Sequence, residues 1–165
     1  MLCWRGVEVG AVLDGKYRLL ALIGRGGMGS VWRAQHLGLD SPVALKLMAA
    51  EMAAHPEAAR RFTQEAKAAA SLRSPHVVQI LDYGVDPASQ EPFIAMELLE
   101  GESLSDRLQR CTRLSPAETA RIIVHVARAL TLAHAARVVH RDPGRPFPHE
   151  EELVQVGLAG LDDRG

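Results

Sequence analysis

The feature that most constrains the fold of this chain is a glycine-rich run followed by a lysine on the next predicted strand. Residues 23–31 read Ile-Gly-Arg-Gly-Gly-Met-Gly-Ser-Val and fit the pattern G-x-G-x-x-G-x-V at Gly24, Gly26 and Gly29. Positions without a side chain let backbone N–H groups come close to a polyphosphate. Two kinds of nucleotide-binding fold share this pattern, so the residues that follow it decide between them.

The residues after the glycines predict a second strand and not a helix. Residues 30–36 alternate apolar and polar side chains and include β-branched and aromatic ones, which is typical of a strand. A dinucleotide-binding site would need a helix here, with its N-terminus facing the pyrophosphate. Residues 43–48 predict a third strand that carries Lys46. The pattern therefore indicates a glycine-rich turn between two strands, which covers phosphates while a lysine supplies positive charge.

The composition of the whole chain favours a globular protein. Its 165 residues are 47% apolar, which is enough for a domain with a core. A net charge of −1 argues against a surface that attracts nucleic acid or anionic lipid. No apolar run reaches the roughly 18 residues of a membrane-spanning helix, and the start of the chain lacks a signal-peptide core. We therefore expect a cytoplasmic protein with no membrane segment and no nucleic-acid partner.

Cysteines and histidines give no metal-binding pattern. Cys3 and Cys111 are far apart and form no Cys-x-x-Cys pair, so neither a disulfide framework nor a zinc site is indicated. His125 and His134 lie on one predicted helix but are nine residues apart, without the i, i+4 spacing of a helical zinc pair. We expect packing or surface roles for these histidines and no metal site built from them.

The glycine run and the Val-Ala-Leu-Lys strand together resemble the protein kinase family, and specifically the serine/threonine kinases common in bacteria. The resemblance implies an α+β fold, in which an antiparallel β-sheet small lobe with one helix precedes a helical large lobe. It implies ATP with Mg²⁺ as cofactors, Lys46 on the α- and β-phosphates, and Val31 and Ala44 above the adenine. The implied ATP contacts in this part of the chain are Ile23, Gly24, Arg25, Gly26, Gly27, Met28, Gly29, Ser30, Val31, Ala44 and Lys46.

A helix predicted over residues 56–72 carries the expected partner of the lysine. The segment is rich in strong helix formers and stops before a Ser-Pro pair. By resemblance, Glu65 pairs with Lys46 and fixes it while it holds phosphate. Glu51 and Glu57 are weaker candidates for that role. The alternative is that Glu65 is a solvated helix residue paired with the arginine one turn earlier.

Two further strands lead to the predicted adenine site. Residues 75–84 resemble the fourth strand of the family, and residues 92–101 resemble its fifth strand and the hinge after it. The resemblance implies that the hinge backbone binds the adenine edge through the carbonyl of Glu97 and through the N–H and carbonyl of Leu99. It also places the side chain of Met96 at the back of the pocket.

Two helices are predicted after the hinge. Residues 103–110 form a short one, and Ser115, Pro116 and Glu118 form a capping box that opens a longer helix to about Ala136. The longer helix has a wide apolar stripe, which predicts a buried face. Its members are Ile122, Ile123, Val126, Ala127, Leu130 and Ala133.

The sequence Val-Val-His-Arg-Asp that ends at Asp142 resembles the start of the family's catalytic loop. By resemblance, Asp142 accepts the proton of the substrate hydroxyl and directs that hydroxyl at the γ-phosphate. The family continues with Leu-Lys-Pro-x-Asn, whereas this chain has Gly144 at the lysine position and Phe147 at the asparagine position. The Asp-Phe-Gly element is also missing, so we expect impaired Mg²⁺ binding and impaired transfer.

These observations predict four segments. They are a leader at 1–10, a small lobe with its hinge at 11–101, a partial large lobe at 102–142, and an aberrant tail at 143–165. The resemblance is thus to a kinase truncated after its His-Arg-Asp. A shifted reading frame, a truncated gene and a genuine pseudokinase ending are alternative origins of the tail.

Three functions follow from the resemblance. The first is a serine/threonine kinase that transfers the ATP γ-phosphate to a protein substrate, which we expect to be inactive or severely impaired. The second is a nucleotide-binding pseudokinase regulator. The third is a non-catalytic interaction fragment that docks on a partner kinase or another protein.

Overall fold

The computed structural model describes residues 7–27 and 29–136, which divide into two compact units. The first unit contains the described residues up to 70 together with 80–98. The second unit contains residues 71–79 and the described residues from 99 onward. The segment boundaries given by the sequence remain predictions, and the predicted leader and tail lie largely or wholly outside the described residues.

The first unit is built on a six-stranded antiparallel sheet, which confirms the predicted small-lobe architecture. The spatial order of its strands is β1-β2-β3-β4-β6-β5. The strands are β1 (Val12–Leu13), β2 (Tyr17–Gly26), β3 (Gly29–His36), β4 (Ser41–Met48), β5 (Ile80–Val85) and β6 (Pro92–Glu97). The predicted fourth strand is thus shorter than expected, whereas the predicted fifth strand ends at Glu97 and is followed by the residues predicted as the hinge. Residues 75–79 are not part of a strand, and neither are residues 98–101.

One face of the sheet holds the larger apolar cluster. Alternate residues on the strands point inward, as the period of two in a strand requires. The buried members are Leu13, Tyr17, Leu19, Trp32, Ala34, Val43, Leu45, Leu47, Phe93 and Ala95. The ring of Tyr17 meets that of Phe93 edge-on, with 5.6 Å between centroids. Its hydroxyl donates to Asp82 Oδ2 at 2.9 Å, and burial together with this bond raises the pKa of Tyr17.

The opposite face of the sheet is covered by a helix. Helix α2 (Pro56–Ala70) buries Phe62 and Ala66 against Met48 and Ile94. This confirms the predicted helix at residues 56–72, apart from its last two residues. A short helix α1 (Ala50–Ala53) precedes it, where the sequence predicted only a connection.

A buried carboxylate joins two turns of the first unit. Asp86 Oδ1 accepts the backbone N–H of Asp14 at 2.8 Å, and its Oδ2 accepts the N–H of Ser89 at 2.7 Å. Burial would raise the pKa of Asp86, but hydrogen bonds from these backbone groups outweigh it and lower the pKa. The turn before β2 is thereby attached to the turn between β5 and β6.

The second unit contains two capped helices, α3 (Leu104–Cys111) and α4 (Pro116–Ala135). Ser103 caps α3, and Ser115 with Glu118 forms the predicted capping box of α4. Arg107 links the helices because its guanidinium pairs with Glu118 and, at 3.1 Å, with Glu102. The predicted positions of both helices are therefore confirmed.

The apolar stripe of α4 is less buried than the sequence indicated. Ile122 and Ala129 are buried, whereas Ile123 is 61% exposed and Leu130 is 44% exposed. No helix among residues 7–27 and 29–136 is both long and apolar enough to cross a membrane.

Candidate functional site

The glycine-rich run forms the tip of the hairpin between β2 and β3, as predicted. Gly26 pairs with Gly29, Arg25 with Ser30, and Gly24 with Val31. The chain reverses direction between Gly26 and Gly29, and Met28 lies outside the described residues. A strand follows the glycines, which excludes the strand-loop-helix arrangement of a dinucleotide site.

The glycines of the hairpin differ in whether the structure would accept a side chain in their place. A Cβ on Gly29 would lie 1.9 Å from the carbonyl oxygen of Leu47 on β4, so no other residue fits there without a backbone shift. A Cβ on Gly24, Gly26 or Gly27 would meet nothing within 4 Å. The approach of β3 to β4 thus requires Gly29, whereas the other three glycines leave the surface of the hairpin open to a ligand.

The sheet register brings several predicted contact residues to one face. Val31 pairs with Lys46 on β4, and Ala44 pairs with Met96 on β6. Residues directly opposite in antiparallel strands lie on the same face, and so do residues two apart on one strand. Val31, Ala44, Lys46 and Met96 therefore share the face of the sheet that α2 covers. Ala44 is buried, and the other three are half-buried.

The side chain of Lys46 contacts an aromatic ring on the helix that covers this face of the sheet. Its Nζ lies over the ring of Phe62 on α2, 5.8 Å from the centroid. Glu65, one turn further along α2, is exposed and takes part in no ion pair within the described part of the chain. The structure thus places Phe62, which sequence reasoning did not single out, beside the lysine. The functional role of Glu65 remains a prediction.

Another residue that sequence reasoning missed supports the base of the hairpin. The indole Nε1–H of Trp32 donates to Ser30 Oγ at 2.9 Å, and both side chains are buried. The predicted ATP contact of Ser30 remains a prediction, and its hydroxyl oxygen accepts this hydrogen bond from Trp32. The alternation of β3 carries the signal for this contact, because residues two apart on a strand lie side by side on one face.

The predicted hinge residues fall in different units. Glu97 is exposed at the end of β6 in the first unit, whereas Leu99 is half-buried in the second. Three residues of the predicted catalytic loop lie outside the described residues, namely Asp142, Gly144 and Phe147. Their roles remain predictions.

No metal-binding cluster is present in the part of the chain that the structure describes. No three His, Cys, Asp or Glu side chains group there as a protein-only metal site would require. His125 packs against His76 with 4.7 Å between ring centroids. Partial burial, His125 and Arg128 all lower the pKa of His76. This contact agrees with a packing role for His125.

The sequence profile of the protein kinase domain matches residues 17–143. The chain belongs to the protein kinase family. The curated kinases similar to it include serine/threonine-protein kinase pkn3 of Myxococcus xanthus, 38% identical over 94% of this chain. Serine/threonine-protein kinase PknA of Mycobacterium tuberculosis is 41% identical over 82% of this chain. The family resemblance to bacterial serine/threonine kinases is therefore confirmed.

Solved kinase structures agree with this assignment. A crystal structure of the Mycobacterium tuberculosis PknI kinase domain has a TM-score of 0.72 and 32% identity, and covers 83% of this chain and 54% of that one. The chain spans about a third of the length of pkn3 and PknA, 30% and 32% respectively. The alignment with pkn3 covers 94% of this chain and therefore extends past Asp142.

Proposed function

We propose that the chain binds ATP through its first unit and that it transfers phosphate to protein serine or threonine poorly or not at all. The shared face of Val31, Ala44, Lys46 and Met96 beside an open glycine hairpin supports the binding part of this proposal. These residues fit ATP because small and apolar side chains suit an adenine ring, and a lysine suits its phosphates. Bound ATP would supply the γ-phosphoryl group.

In this proposal the described residues bind and orient the nucleotide. Val31 and Ala44 lie against the base, and Lys46 neutralises the α- and β-phosphates. The backbone N–H groups around Gly24 and Gly26 approach the phosphates, where no side chain blocks them. Glu65 supports Lys46 only after it turns inward from its exposed position on α2.

The proposed loss of activity depends on the residues after Asp142. Asp142 would accept the proton of the substrate hydroxyl. Where the family has a lysine and an asparagine, Gly144 and Phe147 offer neither a positive charge nor an oxygen ligand. Charge on the transferring group would then be poorly neutralised, and rates should fall by orders of magnitude.

Nucleotide binding is tested by the thermal stability of the 165-residue chain with and without Mg-ATP. Saturation at tenfold over the dissociation constant should stabilise the wild type by about 1.4 kcal/mol, which is a shift of several degrees. Lys46→Ala should abolish the shift. Lys67→Ala is a matched control because Lys67 also lies 5.8 Å from a ring centroid, that of Tyr83 on β5. A cooperative melt with no shift in the wild type contradicts the proposal.

Phosphotransfer is tested with labelled ATP and a generic serine/threonine acceptor protein. The wild type should show no more transfer than Asp142→Asn. Transfer well above that background would contradict the proposed impairment and would identify the chain as an active kinase.

Helix α4 favours a second candidate function, docking on a partner kinase. Ile123 is 61% exposed and Val124 is 46% exposed, and exposed apolar groups of this kind are typical of interaction surfaces. Capture of a kinase domain that fails with Ile123→Glu but survives with Lys46→Ala would support docking. Capture unaffected by Ile123→Glu would exclude a docking surface at Ile123.

A further inference from the structure

Lys46 contacts the ring of Phe62, which is buried on α2. The Nζ–centroid distance of 5.8 Å is within the roughly 6 Å over which a ring face attracts an ammonium group. Phe62 is 7% exposed and is packed with Met48, Ala66 and Ile94. A ring held in a packed cluster cannot follow the lysine, so the ring is a fixed contact for the ammonium group.

The side chains around the ammonium on this face are mostly apolar. Ile94 stands directly opposite Lys46 on β6, and Met48 lies two residues further along β4. Lys46 itself is half-buried. Attraction between a cation and a ring increases as water is removed from around the cation. The ring of Phe62 therefore offers an electrostatic contact in a place where the aliphatic neighbours offer none.

We propose that Phe62 is a positioning residue for Lys46, whose ammonium it holds on the face shared with Val31 and Ala44. This inference rests on the proposed function, since the position matters because the lysine is to meet phosphates. The ring adds to whatever other contacts Lys46 makes. It supports the lysine even while Glu65 is directed outward.

The chain offers an internal comparison for this contact. It has three lysines, Lys16, Lys46 and Lys67. Lys67 lies over the ring of Tyr83 at the same 5.8 Å, but that ring is 40% exposed. Lys16 pairs with the carboxylate of Asp14 at 2.8 Å. The three lysines therefore report on three environments that one experiment can compare. Lys46 contacts a buried ring, Lys67 contacts an exposed ring, and Lys16 pairs with a carboxylate.

The first experiment tests the contact without nucleotide. The lysines of the full chain are dimethylated with ¹³C, and the Lys46 methyl signal is assigned with Lys46→Arg. The ring of Phe62 should shift this signal upfield, and Phe62→Leu should remove that shift while the Lys16 and Lys67 signals stay in place. Phe62→Tyr, which keeps the ring, should retain the shift. A wild-type Lys46 signal at the position of a free dimethyl-lysine would overturn the inference.

The second experiment tests the effect on binding. Phe62 is replaced by 4-fluoro-, 3,5-difluoro- and 3,4,5-trifluorophenylalanine, which preserve the ring shape and weaken the negative potential of its face. The dissociation constant for ATP should rise with each fluorine and reach about two- to fivefold with three, as expected for a contact of this type. The same series at Phe93, which is buried in the other cluster, should show no such trend.

The outcomes separate this inference from the proposed function. A wild type that binds ATP with an affinity indifferent to fluorination at position 62 would reduce Phe62 to a packing residue. A wild type with the upfield Lys46 signal but no ATP binding would overturn the proposed function, and the positioning role with it. A graded loss at position 62 together with a flat series at position 93 supports the proposal.

Discussion

At the residue scale, the glycines of the hairpin meet two separate requirements, which are room for a ligand and close packing of two strands. Sequence reasoning assigned Gly24, Gly26 and Gly29 alike to the approach of phosphates. The structure gives Gly29 a separate reason, because the carbonyl of Leu47 occupies the space that a Cβ would need. A single sequence cannot separate these reasons, since the contact depends on how closely β3 and β4 approach.

Substitutions at two of these glycines should separate stability from binding. Gly29→Ala forces a backbone shift in β3 or β4 and should destabilise the chain by about 1–3 kcal/mol in urea unfolding. Gly26→Ala meets nothing within 4 Å and should change stability by less than about 0.5 kcal/mol, while it weakens ATP binding. A Gly29→Ala variant as stable as the wild type would show that the clash is relieved at no cost, and a large loss in Gly26→Ala would contradict the open space around Gly26.

At the element scale, helices were better predicted than strands. The capping box fixed the start of α4 at Pro116, since Ser115 and Glu118 satisfy orphan backbone groups in any context. Strand β5 begins at Ile80 and not near Pro75, because residues 74–77 form a turn. In that turn Ser74 Oγ accepts the N–H of His76 at 3.1 Å. The local hydrogen bond outcompetes strand pairing.

The rotation of α2 about its own axis could not be predicted from the sequence either. Phe62 and Ala66 are four residues apart and together form the buried stripe of the helix, which leaves Glu65 at its side. The resemblance predicted a glutamate directed at Lys46. Which rotation of the helix is adopted depends on packing against Met48 and Ile94.

The burial of α4 predicts unequal effects at neighbouring isoleucines. Ile122 is 8% exposed and Ile123 is 61% exposed. Ile122→Ala should destabilise the chain by about 2–4 kcal/mol, whereas Ile123→Ala should change stability by less than about 0.5 kcal/mol. Urea unfolding measures both. The reverse order would show that α4 has a different buried face.

The cap of α4 predicts a response to acid. The N–H of Ser115, then Arg107 and the Ser115 hydroxyl, lower the pKa of Glu118 to about 2. Since the folded pKa lies below the unfolded value of about 4.5, the cap stabilises the helix above that value and is lost as the pH falls towards 2. Far-ultraviolet circular dichroism should show helix loss over this range, and Glu118→Gln should reduce that pH dependence. An unchanged profile in the variant would assign the acid response to other carboxylates.

At the scale of the whole molecule, the first unit tolerates a costly buried acid. Glu91 is 6% exposed, and its Oε2 lacks a hydrogen-bond partner among the described residues. Burial, followed by the carboxylates of Asp86 and Glu51, raises the pKa of Glu91. The folded chain therefore holds this proton more tightly than the unfolded chain does, so stability falls as the pH rises from about 4.5 through the raised value.

Removal of this charge should stabilise the chain in a pH-dependent way. Glu91→Gln should raise the free energy of unfolding by about 1 kcal/mol at pH 7 and by much less at pH 4, where the native carboxyl is already neutral. Thermal melts at the two pH values measure the difference. Glu100→Gln, at an exposed position outside the helices and strands, is the control and should be neutral at both. A gain at pH 7 that persists undiminished at pH 4 would rule out the charge as its source.

The buried bond between Trp32 and Ser30 gives the hairpin an optical probe of its own. Indole emission depends on the polarity around the ring and on the hydrogen bond that its N–H makes. Trp32 lies only three residues beyond Gly29 on the strand that leaves the glycine tip. Movement of the tip should therefore change ultraviolet fluorescence without any attached dye. With Trp4 replaced by phenylalanine, the remaining emission would report hairpin movement in real time.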